Sequence, residues 1–272
     1  MERLQAAIEK ARAQRGAPQQ TVARPGKRPA NSPEIEAAWL ALPEISLRRS
    51  LMHRRRIVAL RNEPSAAPYD ILRTRVIQQA QSNNWRRIAI VSPRSACGKT
   101  TTIANLAFGL SKQQELRSMV IDADLRRSGL GRLLGQKGRW NMADVMAGTI
   151  PFSDVARRYG QNLIFGLSFS AAHNPSETLQ SAKAKEELER IEAEYAPDIM
   201  LFDLPPLSAS DDNLGFLTQV DAALIVVEAE KTSMKQFDVA EHQVAELTNV
   251  MGVVLNKCRH VSGAYGYEEG YY

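Results

Sequence analysis

Residues 88–108 read Ile-Ala-Ile-Val-Ser-Pro-Arg-Ser-Ala-Cys-Gly-Lys-Thr-Thr-Thr-Ile-Ala-Asn-Leu-Ala-Phe, which sets a short loop between a strand and a helix. The apolar run Ile88–Val91 predicts a buried strand, and Gly98-Lys99-Thr100 opens a segment of helical period. At such a helix N-terminus, backbone N–H groups point at a phosphate, the lysine reaches the terminal phosphates and the hydroxyl can hold Mg²⁺. The stretch therefore predicts a phosphate-binding loop.

This loop departs from the usual phosphate-binding pattern. The pattern has glycine five residues before Gly98, where this chain has Pro93, and glycines are also common at the positions of Ser95 and Ala96. A non-glycine residue that must adopt a positive φ costs roughly 1 kcal/mol or more. If Ala96 or Cys97 has to do so, nucleotide binding or turnover is weakened without being lost.

Charge is unevenly distributed along the 272 residues. Residues 1–62 carry 13 Lys/Arg against 5 Asp/Glu, whereas the remaining 210 residues carry 22 against 25. The slightly acidic body argues against a nucleic-acid binder. No apolar run approaches the roughly 18–20 residues that span a bilayer, and the N-terminus has no signal-peptide core. We therefore expect a cytoplasmic protein, and its two cysteines give little reason to propose a disulfide.

From about residue 66 the sequence alternates between strands and helices. Strands are predicted over 86–91, 118–122, 162–167, 198–203, 222–228 and 250–256, and helices over 68–81, 99–112, 141–148, 174–195 and 233–247. Because these strands are apolar throughout, they indicate a mostly parallel sheet with helices on both faces, an α/β fold of the phosphate-loop NTPase type. We expect this domain over 66–260, a partly disordered basic arm and linker over 1–65, and a disordered tail over 261–272.

Carboxylates end two of the predicted strands, at the edge where the functional groups of a parallel sheet gather. Asp122 and Asp124 lie on the same side of the chain at the end of the second predicted strand, and Asp203 ends the fourth predicted strand. An aspartate after four apolar residues is typical of a carboxylate that orients Mg²⁺ in a phosphate-loop enzyme. Arg126 or Arg127 would balance the charge of these acids.

Together these residues resemble the bacterial tyrosine kinases, phosphate-loop proteins related to the MinD/ParA ATPases that accompany exopolysaccharide and capsule synthesis. The resemblance covers roughly residues 66–272. It rests on motifs that agree in order and spacing: Ser92–Thr101 with Asn105-Leu106-Ala107, Asp122–Arg127, Asn174–Leu179, Asp203–Pro206 and Gly252–Asn256.

The resemblance implies ATP and Mg²⁺ as cofactors. Lys99 would neutralise the β- and γ-phosphates, and Asp122 would accept the proton of the incoming tyrosine, although Asp122 and Asp124 could exchange roles. The expected catalytic residues are Lys99, Asp122, Asp124 and Asp203, with Thr100, Asp124 and Asp203 at the metal. The expected nucleotide-binding residues are Ser95, Ala96, Cys97, Gly98, Lys99, Thr100, Thr101, Arg126 and Asn256.

The last eight residues hold four of the seven tyrosines, Tyr265, Tyr267, Tyr271 and Tyr272, among glycines and acids. Buried tyrosines do not cluster in a glycine-rich terminus, so a phosphoacceptor tail explains the pattern better than a core does. The resemblance implies phosphorylation of this tail between neighbouring subunits. Each phosphate would add about −1.5 to −2 charges and loosen the subunit contacts.

The resemblance also implies partners. A membrane-spanning polysaccharide chain-length regulator would activate the kinase and hold it at the inner face of the plasma membrane. Homo-oligomers are typical of the family, which carries a Glu-x-x-Arg-x-x-Arg oligomerisation signature. The aligned residues of this chain are Ala67, Asp70 and Arg73, so only the last residue of the signature is retained. Two alternatives stay open. One is a positioning ATPase of the MinD/ParA type, whose signature lysine is replaced here by Arg94, and the other is a weakly active nucleotide-binding scaffold of the polysaccharide machinery.

Overall fold

The computed structural model of the protein describes residues 32–61, 63–209 and 211–258. Within them, seven strands form one sheet in the order β3-β4-β2-β5-β1-β6-β7, parallel except for the antiparallel pair β3 and β4. The strands are β1 Arg87–Val91, β2 Ser118–Asp122, β3 Ala156–Tyr159, β4 Leu163–Gly166, β5 Ile199–Asp203, β6 Ala222–Glu228 and β7 Asn249–Asn256. The predicted mostly parallel α/β fold is confirmed.

Two hydrophobic cores lie on opposite faces of the sheet. In β1, Ile88 and Ile90 belong to one core, whereas Ala89 and Val91 belong to the other. Successive side chains of a strand point to opposite faces, so a strand covered on both sides has to be apolar at every position. This requirement explains why the central strands could be recognised as unbroken apolar runs.

Helices cover both faces of this sheet. They are α1 Pro33–Ala41, α2 Arg49–Arg54, α3 Ala67–Asn83, α4 Lys99–Ser111, α5 Gly129–Leu133, α6 Met142–Met146, α7 Pro175–Gln180, α8 Ala182–Tyr195, α9 Asp212–Leu217 and α10 Met234–Leu247. No helix of the described ranges is long and apolar enough to cross a membrane.

The helix predicted over 174–195 is two helices, because the chain is extended at Ser181. The Ser181 side chain accepts a hydrogen bond from the backbone N–H of Ala184 at 3.0 Å and so caps α8. The Asn174 side chain, at the N-terminus of α7, makes no capping hydrogen bond. Proline at the first helical position is sufficient to begin α7.

The described part of the predicted arm, residues 32–61, is packed on the domain. Ile35 and Trp39 of α1 are buried in one core, and the indole Nε1 of Trp39 donates a hydrogen bond to the Tyr195 carbonyl at 2.7 Å. Met52 and Ile57 are buried in the other core. The folded body therefore extends N-terminally of the predicted boundary at residue 66. Charge dominated the sequence pattern here, and the one helically spaced pair, Ile35 and Trp39, is too short an apolar stripe to indicate a helix.

Candidate nucleotide-binding site

The loop of residues 92–98 lies at the carboxyl end of β1, which is flanked by β5 and β6. Gly98 has a φ of +95°, and a Cβ at this position would lie 2.2 Å from Asn256 Nδ2, so that only glycine fits. Helix α4 begins directly after it at Lys99, whose side chain is buried. The loop thus delivers a helix N-terminus and a buried ammonium to the same place, as phosphate binding requires.

Of the loop residues that stand in place of the usual glycines, one has a positive φ. Ala96 adopts a φ of +64°, whereas Cys97 is not among the residues with positive φ. Cys97 is fully buried and packs in a hydrophobic core. The strain expected for Ala96 or Cys97 therefore falls on Ala96 alone.

Three carboxylates face the loop from the ends of β2 and β5. Asp122 and Asp203 are register partners on these neighbouring strands, and both are buried. Burial raises the pKa of Asp203 to about 6, against the opposing effects of Lys99 and the Thr100 hydroxyl. Burial, followed by repulsion from Asp203 and Asp124, raises the pKa of Asp122 well above its ordinary value. Burial also raises the pKa of Asp124, which the Lys99 ammonium partly offsets.

These carboxylates are short of hydrogen-bond donors. Neither oxygen of Asp203 has a hydrogen bond of acceptable geometry with any described residue, although the Thr100 hydroxyl lies close enough to lower the pKa of this carboxyl. Asp122 Oδ2 accepts a bond from the Leu130 N–H at 3.2 Å, but its Oδ1 also lacks a partner in the described ranges. Buried polar atoms are rarely left unpaired, so the orphaned oxygens suit a cation or its water ligands.

The donor set fits Mg²⁺ in particular. A hydroxyl and carboxylate oxygens are the ligands this ion prefers, and it keeps several waters or substrate phosphates rather than a full protein cage.

The two arginines after β2 have different environments. Arg126, expected at the nucleotide, instead forms a two-point ion pair with the buried Asp212, with Nε 2.6 Å from Oδ2. Arg127 reaches the loop, where its guanidinium donates to the Ser95 hydroxyl at 3.4 Å. Arg127 is therefore the better placed of the two to contact a nucleotide phosphate. The sequence analysis considered both arginines as groups that balance the charge of the acids.

Residues at the ends of β6 and β7 hold the loop from the other side. Asn256, expected among the nucleotide-binding residues, donates from Nδ2 to the Cys97 carbonyl at 2.8 Å. Lys257 Nζ donates to the Ala96 carbonyl at 2.7 Å and pairs with Glu228 at 3.1 Å. Arg94, at the start of the loop, pairs with the other oxygen of the buried Glu228 at 2.7 Å. Sequence reasoning missed Lys257 and Glu228, for which no local pattern gave a signal.

A buried lysine at a helix N-terminus, with carboxylates at the adjoining strand ends, defines a phosphate-loop nucleotide-binding protein. The model of the CobQ/CobB/MinD/ParA nucleotide binding domain matches residues 88–264, and the chain belongs to this family. The motifs of the sequence predicted a phosphate-loop protein related to the MinD/ParA ATPases, and this match confirms that relationship.

The chain is also similar to individual proteins of this kind. It is 30% identical over 188 residues to AmsA of Erwinia amylovora, covering 68% of this chain and 25% of AmsA. It is 28% identical over 216 residues to the tyrosine-protein kinase ptk of Acinetobacter johnsonii, covering 77% of this chain and 29% of ptk. The chain thus spans between a quarter and a third of the length of these curated relatives.

Among solved structures, the kinase domain of Escherichia coli tyrosine kinase ETK superposes with a TM-score of 0.68 at 23% identity. The match covers 79% of this chain and 85% of that domain. It shows that the two chains share a fold. The tyrosine-rich tail, with all four expected phosphoacceptors, lies outside the described residues.

Proposed function

We propose that the protein is an ATP-dependent protein-tyrosine autokinase that transfers the γ-phosphate of ATP to its own C-terminal tyrosines. One observation carries the proposal furthest: the buried Lys99 ammonium acts on the carboxylates of Asp124 and Asp203, and oxygens of Asp203 and of the neighbouring buried Asp122 have no partner in the described ranges. Such a site suits a nucleotide triphosphate together with a divalent cation. The tyrosine-rich tail and the relatives named as tyrosine kinases point to the acceptor.

In this proposal the loop and the helix α4 N-terminus bind the phosphates through backbone N–H groups, and the Lys99 ammonium neutralises the β- and γ-phosphates. Thr100, Asp124 and Asp203 would hold Mg²⁺, directly or through water. When bound, the ion neutralises the charge that develops on the phosphates. Arg127, beside Ser95, adds a second positive charge at the mouth of the site.

Asp122 is the proposed proton acceptor. The tyrosine oxygen forms a bond to the γ-phosphorus while the bond from that phosphorus to the β,γ-bridging oxygen breaks, ADP leaves, and the phenolic proton passes to an Asp122 oxygen. Burial among neighbouring acids makes Asp122 a stronger base than an exposed aspartate, which suits this role. Asp124 is the alternative acceptor, because it lies on the same side of the β2 end.

The proposal extends to the setting of the enzyme. As the family resemblance implies, the kinase would act in exopolysaccharide or capsule synthesis, at the inner face of the plasma membrane, activated by a membrane-spanning chain-length regulator and able to form homo-oligomers. Co-purification of the chain with the cytoplasmic part of such a regulator, and a rise in phosphotyrosine when that part is added, would test this setting.

Incubation of the purified chain with Mg²⁺ and ATP, followed by detection of both phosphotyrosine and ADP, tests the kinase activity. The autokinase gives phosphotyrosine that disappears when Tyr265, Tyr267, Tyr271 and Tyr272 are all replaced by phenylalanine. ADP release without phosphotyrosine would instead identify a positioning ATPase of the MinD/ParA type. The pairing of Arg94 with Glu228 in its own chain disfavours that alternative, since Arg94 occupies the position of the signature lysine.

A further inference from the structure

The two residues at the end of β7 hold two consecutive peptide groups of the loop. Lys257 Nζ donates to the Ala96 carbonyl oxygen at 2.7 Å, and Asn256 Nδ2 donates to the Cys97 carbonyl oxygen at 2.8 Å. Both contacts join residues about 160 positions apart in the sequence. They fix the orientation of the peptide planes on either side of Cys97.

These orientations decide where the loop's N–H groups point. In a trans peptide, the C=O of one residue and the N–H of the next lie in one plane and point in opposite directions, and the described chain has no cis peptide. Holding the Ala96 and Cys97 carbonyls against β7 therefore directs the N–H groups of Cys97 and Gly98 away from β7. Neither N–H has an acceptor among the residues that the structure describes. Free, aligned N–H groups are what a phosphate-binding loop presents to an anion.

Lys257 is itself fixed by charge. Its ammonium pairs with Oε1 of Glu228, a carboxylate that is only 4% exposed at the end of the neighbouring strand β6. Oε2 of the same carboxylate forms an ion pair with the guanidinium of Arg94 in the first half of the loop. One buried carboxylate thus ties two parts of the loop to the sheet, Arg94 directly and the Ala96 carbonyl through Lys257.

Ala96 is where this support matters most. Its φ of +64° favours glycine, and glycine is common at this position of phosphate-binding loops. The chain offers a hydrogen bond from Lys257 to the very carbonyl of this residue. The contact stabilises a backbone conformation that alanine alone does not favour.

We propose that Lys257 and Asn256 are positioning residues for nucleotide binding, and that Lys257 compensates for the glycine that the loop lacks at Ala96. The proposal rests on nucleotide binding alone, so it stands or falls separately from tyrosine kinase activity. It assigns to Asn256 a contact with the loop backbone in addition to any contact with the base.

Titration of the full chain with a fluorescent ADP analogue in the presence of Mg²⁺ tests the proposal. Lys257→Met is expected to weaken binding about tenfold, in line with the loss of a charged hydrogen bond that orders the site. Lys257→Arg, which keeps both contacts within reach, should restore most of the affinity. The matched control is Lys231→Met, because Lys231 pairs with the same Glu228 oxygen at 2.9 Å. Lys231 has no hydrogen bond to the loop within the described residues, so this variant should stay within about twofold of the unmodified chain.

The double variant Ala96→Gly with Lys257→Met separates positioning from general stability. If Lys257 compensates for the missing glycine, Ala96→Gly should recover about half or more of the lost binding free energy in the Lys257→Met background and change the affinity of the unmodified chain less. Equal losses in Lys257→Met and Lys231→Met would overturn the positioning role. No recovery with Ala96→Gly would overturn the compensation.

Thermal unfolding of every variant without nucleotide provides the folding check. Should Lys257→Met aggregate, Lys257→Gln gives a second series with the same expected order, since glutamine is uncharged and shorter. An unmodified chain that fails to bind the analogue would contradict the nucleotide site itself, a result distinct from equal binding by all the variants.

Discussion

The two sides of the candidate site are built in opposite ways. On the loop side, Arg94 and Lys257 share the buried Glu228 and hold the loop, so that its charged groups are paired. On the carboxylate side, Asp122 and Asp203 are buried with oxygens that have no partner in the described residues. The loop side is stabilised by its own contacts, whereas the carboxylate side is destabilised until a ligand supplies positive charge. Preorganised backbone donors and acids that Lys99 compensates only in part together favour binding of a phosphate with its cation.

Removal of the Lys99 ammonium should have the largest effect, because this group serves both sides. In Lys99→Met, phosphotyrosine formation should fall at least about 100-fold, the size of effect seen when a preorganised charge at a transition state is lost. The measurement is the initial rate of phosphotyrosine formation with Mg²⁺ and ATP. Lys112→Met, just past the other end of α4, is the matched control, since Lys112 is exposed and pairs with Asp70 at 3.5 Å. Comparable rates in both variants would contradict the assignment.

Gly98→Ala should disrupt the loop side by a steric clash. The new Cβ would meet Asn256 Nδ2 at 2.2 Å while the backbone keeps a φ of +95°, so the free energy of unfolding should fall by about 2 kcal/mol or more. Gly160→Ala is the control, because Gly160 has a φ of +60° and nothing within 4 Å. It should cost only the conformational part, about 1 kcal/mol. Equal losses in urea unfolding would mean that Asn256 does not constrain the loop.

Asp203→Asn should stabilise the nucleotide-free protein, which is the opposite of the Gly98 result. Burial raises the folded-state pKa of Asp203 to about 6, above its unfolded value, so protonation stabilises the folded state. That contribution is fully present below about pH 4 and is lost as the pH rises through about 6. The variant should therefore gain about 2 kcal/mol over the unmodified protein at pH 7 and almost nothing at pH 4.

Unfolding curves at pH 4, 5, 6 and 7 measure this difference. A second arm adds Mg²⁺ and a nucleotide, which should stabilise the unmodified protein more than Asp203→Asn, because the variant lacks the acid that the cation would meet. A variant that is less stable than the unmodified protein at pH 7 would show that the carboxylate side is not strained.

Replacement of either arginine after β2 should have the smallest effect on nucleotide binding. Arg127→Ala is expected to weaken nucleotide binding about threefold, since an exposed charge at the mouth of the site contributes little. Arg126→Ala should leave nucleotide binding unchanged, because its guanidinium is held by Asp212, and should instead lower the free energy of unfolding by about 1–3 kcal/mol, because the buried Asp212 carboxylate loses a charged partner. The reverse order of nucleotide affinities would restore Arg126 as the nucleotide contact expected from the sequence.

The features that could be predicted from the sequence are those whose residues lie close together along the chain. The loop, the central strands and Asp122, Asp124 and Asp203 are encoded locally, in apolar runs that end in a recognisable motif. The contacts that hold the loop are not, because Arg94 and Glu228 are 134 positions apart. The packing of α1 depends likewise on a hydrogen bond between Trp39 and Tyr195, 156 positions away.

Phosphosite mapping tests the central claim most directly. The full chain would be incubated with Mg²⁺ and ATP, digested, and its phosphorylated residues identified by mass spectrometry, with Lys99→Met processed in parallel. An autokinase should carry phosphate on Tyr265, Tyr267, Tyr271 or Tyr272 in the unmodified chain and on none of them in the variant. ADP formation by the unmodified chain with no phosphate on any of these tyrosines would contradict it.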